Sequence, residues 1–168
     1  MLAFYFISSW TPALLESSGL AKEQSQKVGM TISIGGTIGS LIFGFLMSKF
    51  TAKSTLMAFV VLSSLAIIGF VFSPTLTLAL VFAILVGSLV NGCITGLYTI
   101  NPTLYAPEVR STGVGTAIGV GRIGSIVSPI LAGKLLDMGI SKDDLYLGAN
   151  GFILLTVVAL YFLKPSER

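Results

Sequence analysis

The chain has 168 residues, of which 54% are hydrophobic and only 10% are charged, and its formal net charge is +3. Soluble domains average about 25% charged residues, so this composition excludes a soluble enzyme and is the opposite of that of a disordered chain. Histidine is absent, Cys93 is the only cysteine and no three basic residues adjoin, which excludes a Cys/His metal cluster, a histidine-based triad and a basic nucleic-acid-binding patch.

Six hydrophobic segments follow one another, and a membrane-spanning helix needs roughly 20 mostly apolar residues. We predict spans at 2–15, 28–47, 56–72, 76–97, 112–136 and 145–163. The first reaches only about 21 Å, less than the roughly 30 Å hydrocarbon core, which indicates a truncated helix. The charges fall almost wholly between the spans, as expected for helices that satisfy their own backbone groups in lipid. The sequence therefore predicts an all-α membrane protein, a six-helix transmembrane bundle.

An even number of spans places both termini on the same side of the membrane. The second and fourth loops and the tail hold five basic residues: Lys49, Lys53, Arg110, Lys164 and Arg168. The remaining loops hold four: Lys22, Lys27, Lys134 and Lys142. Because cytoplasmic loops carry an excess of Lys and Arg, this small difference favours cytoplasmic termini.

Small residues recur at helical spacing in the second and fifth spans. They are Gly36, Ser40 and Gly44 in the second, and Gly113, Ala117, Gly121 and Ser125 in the fifth, with Gly115 and Gly119 on a neighbouring face. Such stripes let helix backbones approach closely, either as static packing or as a surface on which two bundles rock. Pro12, Pro102 and Pro129 remove backbone hydrogen bonds in or at the ends of spans, which favours a protein that opens and closes.

Arg122 lies about 15 Å along the fifth span, near mid-membrane. Placing an arginine there costs on the order of 2.5–3.5 kcal/mol on insertion scales, so the side chain is expected to face the protein interior or a wet cavity. Its planar guanidinium matches a carboxylate, which predicts a binding group for an anionic substrate. The alternative is a structural arginine held by backbone carbonyls or a neighbouring asparagine.

Polar residues of two other spans are candidates to share a pocket with Arg122. The fourth span places them on one face at Ser88, Asn91, Thr95 and Tyr98, and the first at Tyr5 and Ser9, with Trp10 nearby. Tyr5, Tyr98 and Trp10 are suited to stack on an aromatic ring, although Tyr and Trp are also enriched at membrane interfaces. We predict that Arg122, Tyr5, Asn91, Tyr98 and Trp10 contribute to substrate binding.

No Asp, Glu or His lies inside a span, and arginine does not deprotonate in proteins. A proton-coupled function would therefore need a carrier carboxylate outside this chain. The spans also hold no nucleophile–base or metal constellation, so we predict no catalytic residues and no enzyme activity.

The segment LYAPEVRSTGVGTAIGVGRIGSIVSP, residues 104–129, strongly resembles the major facilitator superfamily. The chain is similar to the C-terminal half of its aromatic acid:proton symporters. The resemblance implies that the six spans are helices seven to twelve of a twelve-helix fold, the first of them truncated, and that the N-terminal six-helix half is missing. It also implies a bacterial inner-membrane location with both termini cytoplasmic, and neither a cofactor nor a metal.

The same resemblance implies a gating network at the cytoplasmic end. Glu108 and Arg110 match the acidic–basic pair that the family carries between helices ten and eleven. Gly44 and Lys49 match the glycine and basic positions of the family's G-x-x-x-D-R motif, but Ser48 stands where Asp is expected. Because an Asp at that helix end would pair with the basic residue and the helix dipole, its loss implies a weaker gate.

Arg122 matches an arginine that these symporters carry in helix eleven. Gly115, Gly124, Pro129 and Gly133 resemble the glycine–proline motif of the pseudo-symmetric helix five, with Ser128 and Ala132 in place of glycines, a version too loose to imply antiport.

The implied function is proton-coupled uptake of an aromatic carboxylate such as benzoate or hydroxybenzoate, by alternating access between two six-helix halves. Two alternatives stay open. One is a related transporter for another organic anion, such as a dicarboxylate, nicotinate or a sugar acid. The other is a membrane scaffold subunit that does not transport.

Overall fold

The computed structural model describes residues 1–17 and 19–162 as helices joined by short loops. The helices are α1 Leu2–Ser17, α2 Lys22–Leu46, α3 Ala52–Val71, α4 Leu76–Ile100, α5 Arg110–Asp137 and α6 Lys142–Phe162, with a short 3-10 helix at Asn101–Leu104. No strand occurs in these two ranges, and the all-α prediction is confirmed. The last residue of the predicted sixth span, Leu163, and the tail residues Lys164 and Arg168 lie outside the described residues.

Helices α2 to α6 are each long and apolar enough to cross a membrane. Most extend beyond the apolar segments predicted from the sequence, since α2 begins at Lys22 and α5 at Arg110. Charged first and last turns are compatible with helix geometry, whereas hydropathy marks only the apolar middle. Helix α1 has 16 residues, or about 24 Å at 1.5 Å per residue.

The helix ends follow from local sequence signals. Thr51 and Thr75 each accept a hydrogen bond from a backbone N–H of the first turn, and these bonds cap α3 and α4. Helix α5 ends at Asp137, and two residues later Gly139 has a φ of +82°, which is disfavoured for other residues. Pro102, predicted to bend a span, instead lies near the start of the 3-10 helix that follows α4.

The tightest helix pair is α2 with α4, which run parallel and approach through glycines on both helices. A β-carbon on Gly35 or Gly39 would collide with the α4 backbone at Ile84 or Ser88. Reciprocally, a β-carbon on Gly87 would collide with the α2 backbone at Ile32. The Ser88 hydroxyl donates a hydrogen bond of 2.8 Å to the Gly35 carbonyl across this interface. The absence of side chains at these positions allows the backbones to pack directly.

Helix α3 joins this pair to α6. At one end of the bundle, Phe43 of α2 packs edge-on to Phe59 of α3 with ring centroids 5.2 Å apart. At the same end Lys53 donates a hydrogen bond of 3.4 Å to the Tyr161 carbonyl near the end of α6. A cation near a helix C-terminus interacts favourably with the helix dipole. This end, which we call the Lys49 end, holds the loops at residues 47–51 and 101–109.

Helix α5 lies at the edge of the bundle, and of its side chains only Ser128 and Ala132 are buried. It runs parallel to α1, since Gly121 faces Met1 and Gly133 faces Trp10. The Ser128 hydroxyl donates a hydrogen bond of 2.9 Å to the Leu2 carbonyl. Helix α1 thus connects α5 to the other helices, while most of the α5 surface stays open.

Two polar side chains on the inner face of α6 differ in how well they are satisfied. The Tyr146 hydroxyl donates a hydrogen bond of 2.7 Å to Thr11 of α1, and both residues are buried. One turn later Asn150 is only 4% exposed, and its Oδ1 has no hydrogen-bond donor. A buried polar atom without a partner costs about 1–3 kcal/mol.

We therefore expect Asn150→Leu to raise the free energy of unfolding by about 1–3 kcal/mol, because it removes this acceptor. The fluorescence of Trp10, the only tryptophan, reports unfolding in detergent. Thr156→Val on the same helix is the control, since its hydroxyl already donates to the Phe152 carbonyl, and it should leave stability nearly unchanged. A loss of stability in Asn150→Leu would show that the amide is bonded in solution.

Candidate functional site

Arg122 lies near the middle of α5 and is exposed. Its neighbour Gly121 faces Met1, and Gly124 faces Leu2, so Arg122 lies at the edge of the surface that α5 presents to α1. Among the residues that the structure describes, the guanidinium has no hydrogen bond or ion pair. Its five N–H groups are therefore available to a group from outside this six-helix bundle.

The α5 face around Arg122 is unoccupied. Gly119 and Gly115 lie about one and two turns before Arg122, and no atom lies within 4 Å of where their β-carbons would be. Gly113, which belongs to the other predicted stripe, instead packs under the Tyr105 ring. The face defined by Gly115, Gly119 and Arg122 thus combines a smooth surface with one unpaired cation, and we call it the Arg122 face.

Helix-interior prolines leave two backbone carbonyls without their helical hydrogen bond, and these two acceptors were not singled out from the sequence. Proline has no N–H, so the carbonyl four residues earlier loses its helical hydrogen bond. Pro129 of α5 acts in this way on Ser125, one turn after Arg122, and Pro12 of α1 acts on Ser8. The i−4 relation to a proline was the signal in the sequence that identifies both acceptors.

The α1 candidates differ in their surroundings. Tyr5 is half-buried and meets Phe4 edge-on, with ring centroids 5.3 Å apart, while Ser8 and Ser9 are exposed beside it. Trp10 lies against Gly133, about 3.5 Å from where its β-carbon would be. Since Gly133 is eleven residues after Arg122, or about 16 Å along α5, the structure does not bring Trp10 next to the guanidinium.

The predicted polar face of α4 divides between packing and open space. Thr95 donates a hydrogen bond of 3.1 Å to Ser40 of α2, and Ser88 bonds the same helix. The Asn91 amide lies directly over Gly36 of α2, half-buried. Its amide makes no hydrogen bond within the described part of the chain. Much of this face therefore holds α2 and α4 together.

Tyr98 is 39% exposed, and its hydroxyl lies 4.0 Å from the Met1 sulfur. Tyr98, Met1 and Gly121 line one cavity of about 300 Å³ between α4, α5 and the end of α6. The structure therefore brings Tyr98 to the same cavity as the residue preceding Arg122. Asn91 does not line this cavity.

The predicted gating residues all lie at the Lys49 end. The Ser48 hydroxyl donates a hydrogen bond of 2.7 Å to the Phe45 carbonyl, and the Lys49 ammonium lies 5.3 Å from the Phe45 ring centroid. Both contacts join the loop at residues 47–51 to Phe45 in the last turn of α2. Glu108, two residues before α5, and Arg110, its first residue, are exposed, and no ion pair joins them in the described structure. Any charge network here needs partners outside the described residues.

Comparison with known proteins identifies related chains. The model of the Major Facilitator Superfamily matches residues 1–168. The chain is 32% identical to the 3-(3-hydroxy-phenyl)propionate transporter of Escherichia coli, over 99% of this chain and 41% of that protein. It is 29% identical to the benzoate transport protein of Acinetobacter baylyi, over 99% of this chain and 36% of the relative.

A third relative is the 4-hydroxybenzoate transporter of Pseudomonas aeruginosa, 26% identical over 83% of this chain and 31% of the relative. The chain thus spans between 31% and 41% of the length of these three proteins.

Proposed function

This chain belongs to the Major Facilitator Superfamily, and from that premise we propose that it forms half of a secondary transporter that carries an aromatic carboxylate together with a proton. The chain is an integral membrane protein with half of the superfamily fold, it is part of a transporter rather than an enzyme, and its relatives include transporters of aromatic acids.

The observation that carries the proposal is the unpaired guanidinium of Arg122 on an open face near mid-membrane. An intramembrane cation is costly unless it meets a partner or water. A carboxylate accepts two parallel hydrogen bonds from the planar guanidinium. If the substrate supplies this carboxylate while it is bound, the bundle needs no carboxylate of its own beside Arg122. Tyr98, in the adjoining cavity, supplies an aromatic surface for a ring.

Tyr5, Asn91 and Trp10 complete the proposed pocket from α1 and α4. Tyr5 shares a partly exposed side of α1 with Ser9, and the Asn91 amide is free to bond a substrate hydroxyl. Trp10 of α1 contacts α5 at Gly133, well beyond Arg122. We therefore place it at the edge of the pocket rather than beside the carboxylate.

The missing N-terminal six-helix half supplies the opposite wall in this proposal. The Arg122 face carries open glycines against which a helix of that half packs and slides during alternating access. Every Asp and Glu in the described residues lies in a loop or a terminal turn, so the carboxylate that carries the proton is assigned to the other half.

We place the transporter in the bacterial inner membrane with both termini cytoplasmic, which the five-to-four excess of basic residues supports. The Lys49 end then faces the cytoplasm. There Glu108, Arg110, Ser48 and Lys49 meet charged residues of the other half and form the gate.

Uptake of labelled benzoate by cells that produce the whole transporter tests this function. We expect excess 4-hydroxybenzoate to compete and a protonophore to abolish uptake, because accumulation depends on the proton gradient. Uptake that succinate, nicotinate or gluconate blocks, while aromatic acids do not, would assign the protein to another organic anion. Correctly inserted protein that takes up none of these compounds would favour the scaffold alternative.

A further inference from the structure

A second cavity, of about 310 Å³, lies on the opposite side of α5 from Arg122. Leu131, one of its lining residues, is nine residues after Arg122, or about two and a half turns, and so lies on the opposite side of the helix. If the Arg122 face meets the other half of the transporter, this cavity faces the bilayer. It goes beyond the substrate site, with which it shares no residue.

The cavity is a slot between α5 and α6 with α1 as its floor. The two helices are joined by a short loop at residues 138–141, yet they scarcely contact each other. Phe6 of α1 closes the slot from below, while Ala132 of α5 and Gly148 of α6 leave the space open because their side chains are small or absent. The lining is almost wholly apolar.

Asp144 lies at one end of the slot and Phe152 at the other. Eight residues separate them, or about 12 Å of helix, which is close to the half-thickness of a hydrocarbon core of roughly 30 Å. The slot therefore has the depth of one leaflet. It begins near the membrane surface at the α5–α6 loop.

One carboxylate oxygen of Asp144 is free at the mouth of the slot. The Ser141 hydroxyl donates a hydrogen bond of 2.7 Å to Oδ2, and Oδ1 has no partner among the described residues. The same end carries the carboxylates of Asp137 and Asp143 besides Asp144, against the ammonium groups of Lys134 and Lys142. The end of α1 and the start of α2, which lie at this end, add two acidic and two basic residues, Glu16, Glu23, Lys22 and Lys27. The total of five negative and four positive charges makes this end net negative.

We propose that the slot binds one acyl chain of a phospholipid whose headgroup ammonium bonds Asp144, as in phosphatidylethanolamine. Lipid tails are as apolar as the slot, so the slot gains no hydrophobic selectivity within the bilayer. The choice among lipids therefore depends on the headgroup, whose primary ammonium donates a charge-assisted hydrogen bond to Oδ1 of Asp144. A trimethylated ammonium has no such donor, and an anionic headgroup meets a net negative surface.

The test is native mass spectrometry of the chain released from membranes that contain equal amounts of phosphatidylethanolamine, phosphatidylcholine and phosphatidylglycerol with identical acyl chains. We expect phosphatidylethanolamine to be retained about tenfold over each of the others. The loss of one hydrogen bond to a charged group weakens binding by about this factor. Asp144→Asn should abolish the preference. Asp143→Asn, which alters a residue outside the slot, should keep it.

A pair of glycine variants on α6 tests the slot itself. Both Gly148 and Gly151 have open space where a β-carbon would lie, but only Gly148 lines the slot. Gly148→Leu should reduce retention of the selected lipid severalfold, and Gly151→Leu should leave it unchanged. Equal retention of all three lipids, preference for phosphatidylglycerol, a stable dimer without lipid, or equal effects of the two glycine variants would overturn the proposal. None of these results depends on whether the protein transports an aromatic acid.

Discussion

Replacing Arg122 by alanine is expected to lower the uptake of an aromatic acid by the whole transporter about 30-fold or more. Truncating one partner of a buried, hydrogen-bonded charge pair costs about 2–5 kcal/mol, and each 1.4 kcal/mol is a factor of ten. Arg122→Lys keeps the charge but loses the planar fork, so we expect an intermediate loss. The measurement is the initial rate of labelled benzoate uptake against benzoate concentration, at equal amounts of protein in the membrane.

A matched control separates binding from a general effect of removing a cation from α5. Lys134 is exposed in the last turn of the same helix, and Lys134→Ala should leave uptake nearly unchanged. If KM rises in Arg122→Ala while the amount of folded protein is unchanged, Arg122 binds the substrate. Undiminished uptake in Arg122→Ala would refute that role, and a loss of folded protein would favour the structural alternative.

The spans were predictable because any helix that crosses the bilayer must be apolar, whichever helices it packs against. Each helix that crosses lipid must satisfy its own backbone groups, so the apolar segments could be identified without knowledge of their packing. It was harder to predict which helices pack together and through which faces. The stripe through Gly36 and Ser40 was identified, yet the direct backbone contacts with α4 are made one residue away at Gly35 and Gly39. A helix rich in small residues offers several faces, and only the neighbouring helix determines which one is used.

The candidate site was predictable to a smaller extent. An arginine inside an apolar segment is conspicuous, and its open face is consistent with a ligand. The polar face of α4 was ambiguous, because an interhelical hydrogen bond needs the same residue types as a substrate contact. Ser88 bonds the α2 backbone and Thr95 bonds an α2 side chain, whereas Tyr98 lines a cavity. Asn150 was not identified from the sequence, since its burial arises only from tertiary packing.

The close approach of α2 and α4 implies that Gly39→Ala is among the most damaging single substitutions in this chain. The added β-carbon would overlap the α4 backbone at Ser88, and a backbone cannot move aside as a flexible side chain can. Overpacking costs typically 1–3 kcal/mol and occasionally more, and here separation of the helices would also break the Ser88 hydrogen bond to Gly35. We expect a loss of about 3 kcal/mol in the free energy of unfolding.

Gly44 provides the matched control on the same helix, because no atom lies within 4 Å of where its β-carbon would be. Glycine inside a helix is less stable than alanine by roughly 0.5–1 kcal/mol, so Gly44→Ala should stabilise the protein while Gly39→Ala destabilises it. The two variants make the same chemical change on the same helix, so opposite changes in the free energy of unfolding would separate the effect of packing from that of helix propensity. If both variants stabilised the protein in reversible denaturation, the α2–α4 pair would have to be looser than the structure shows.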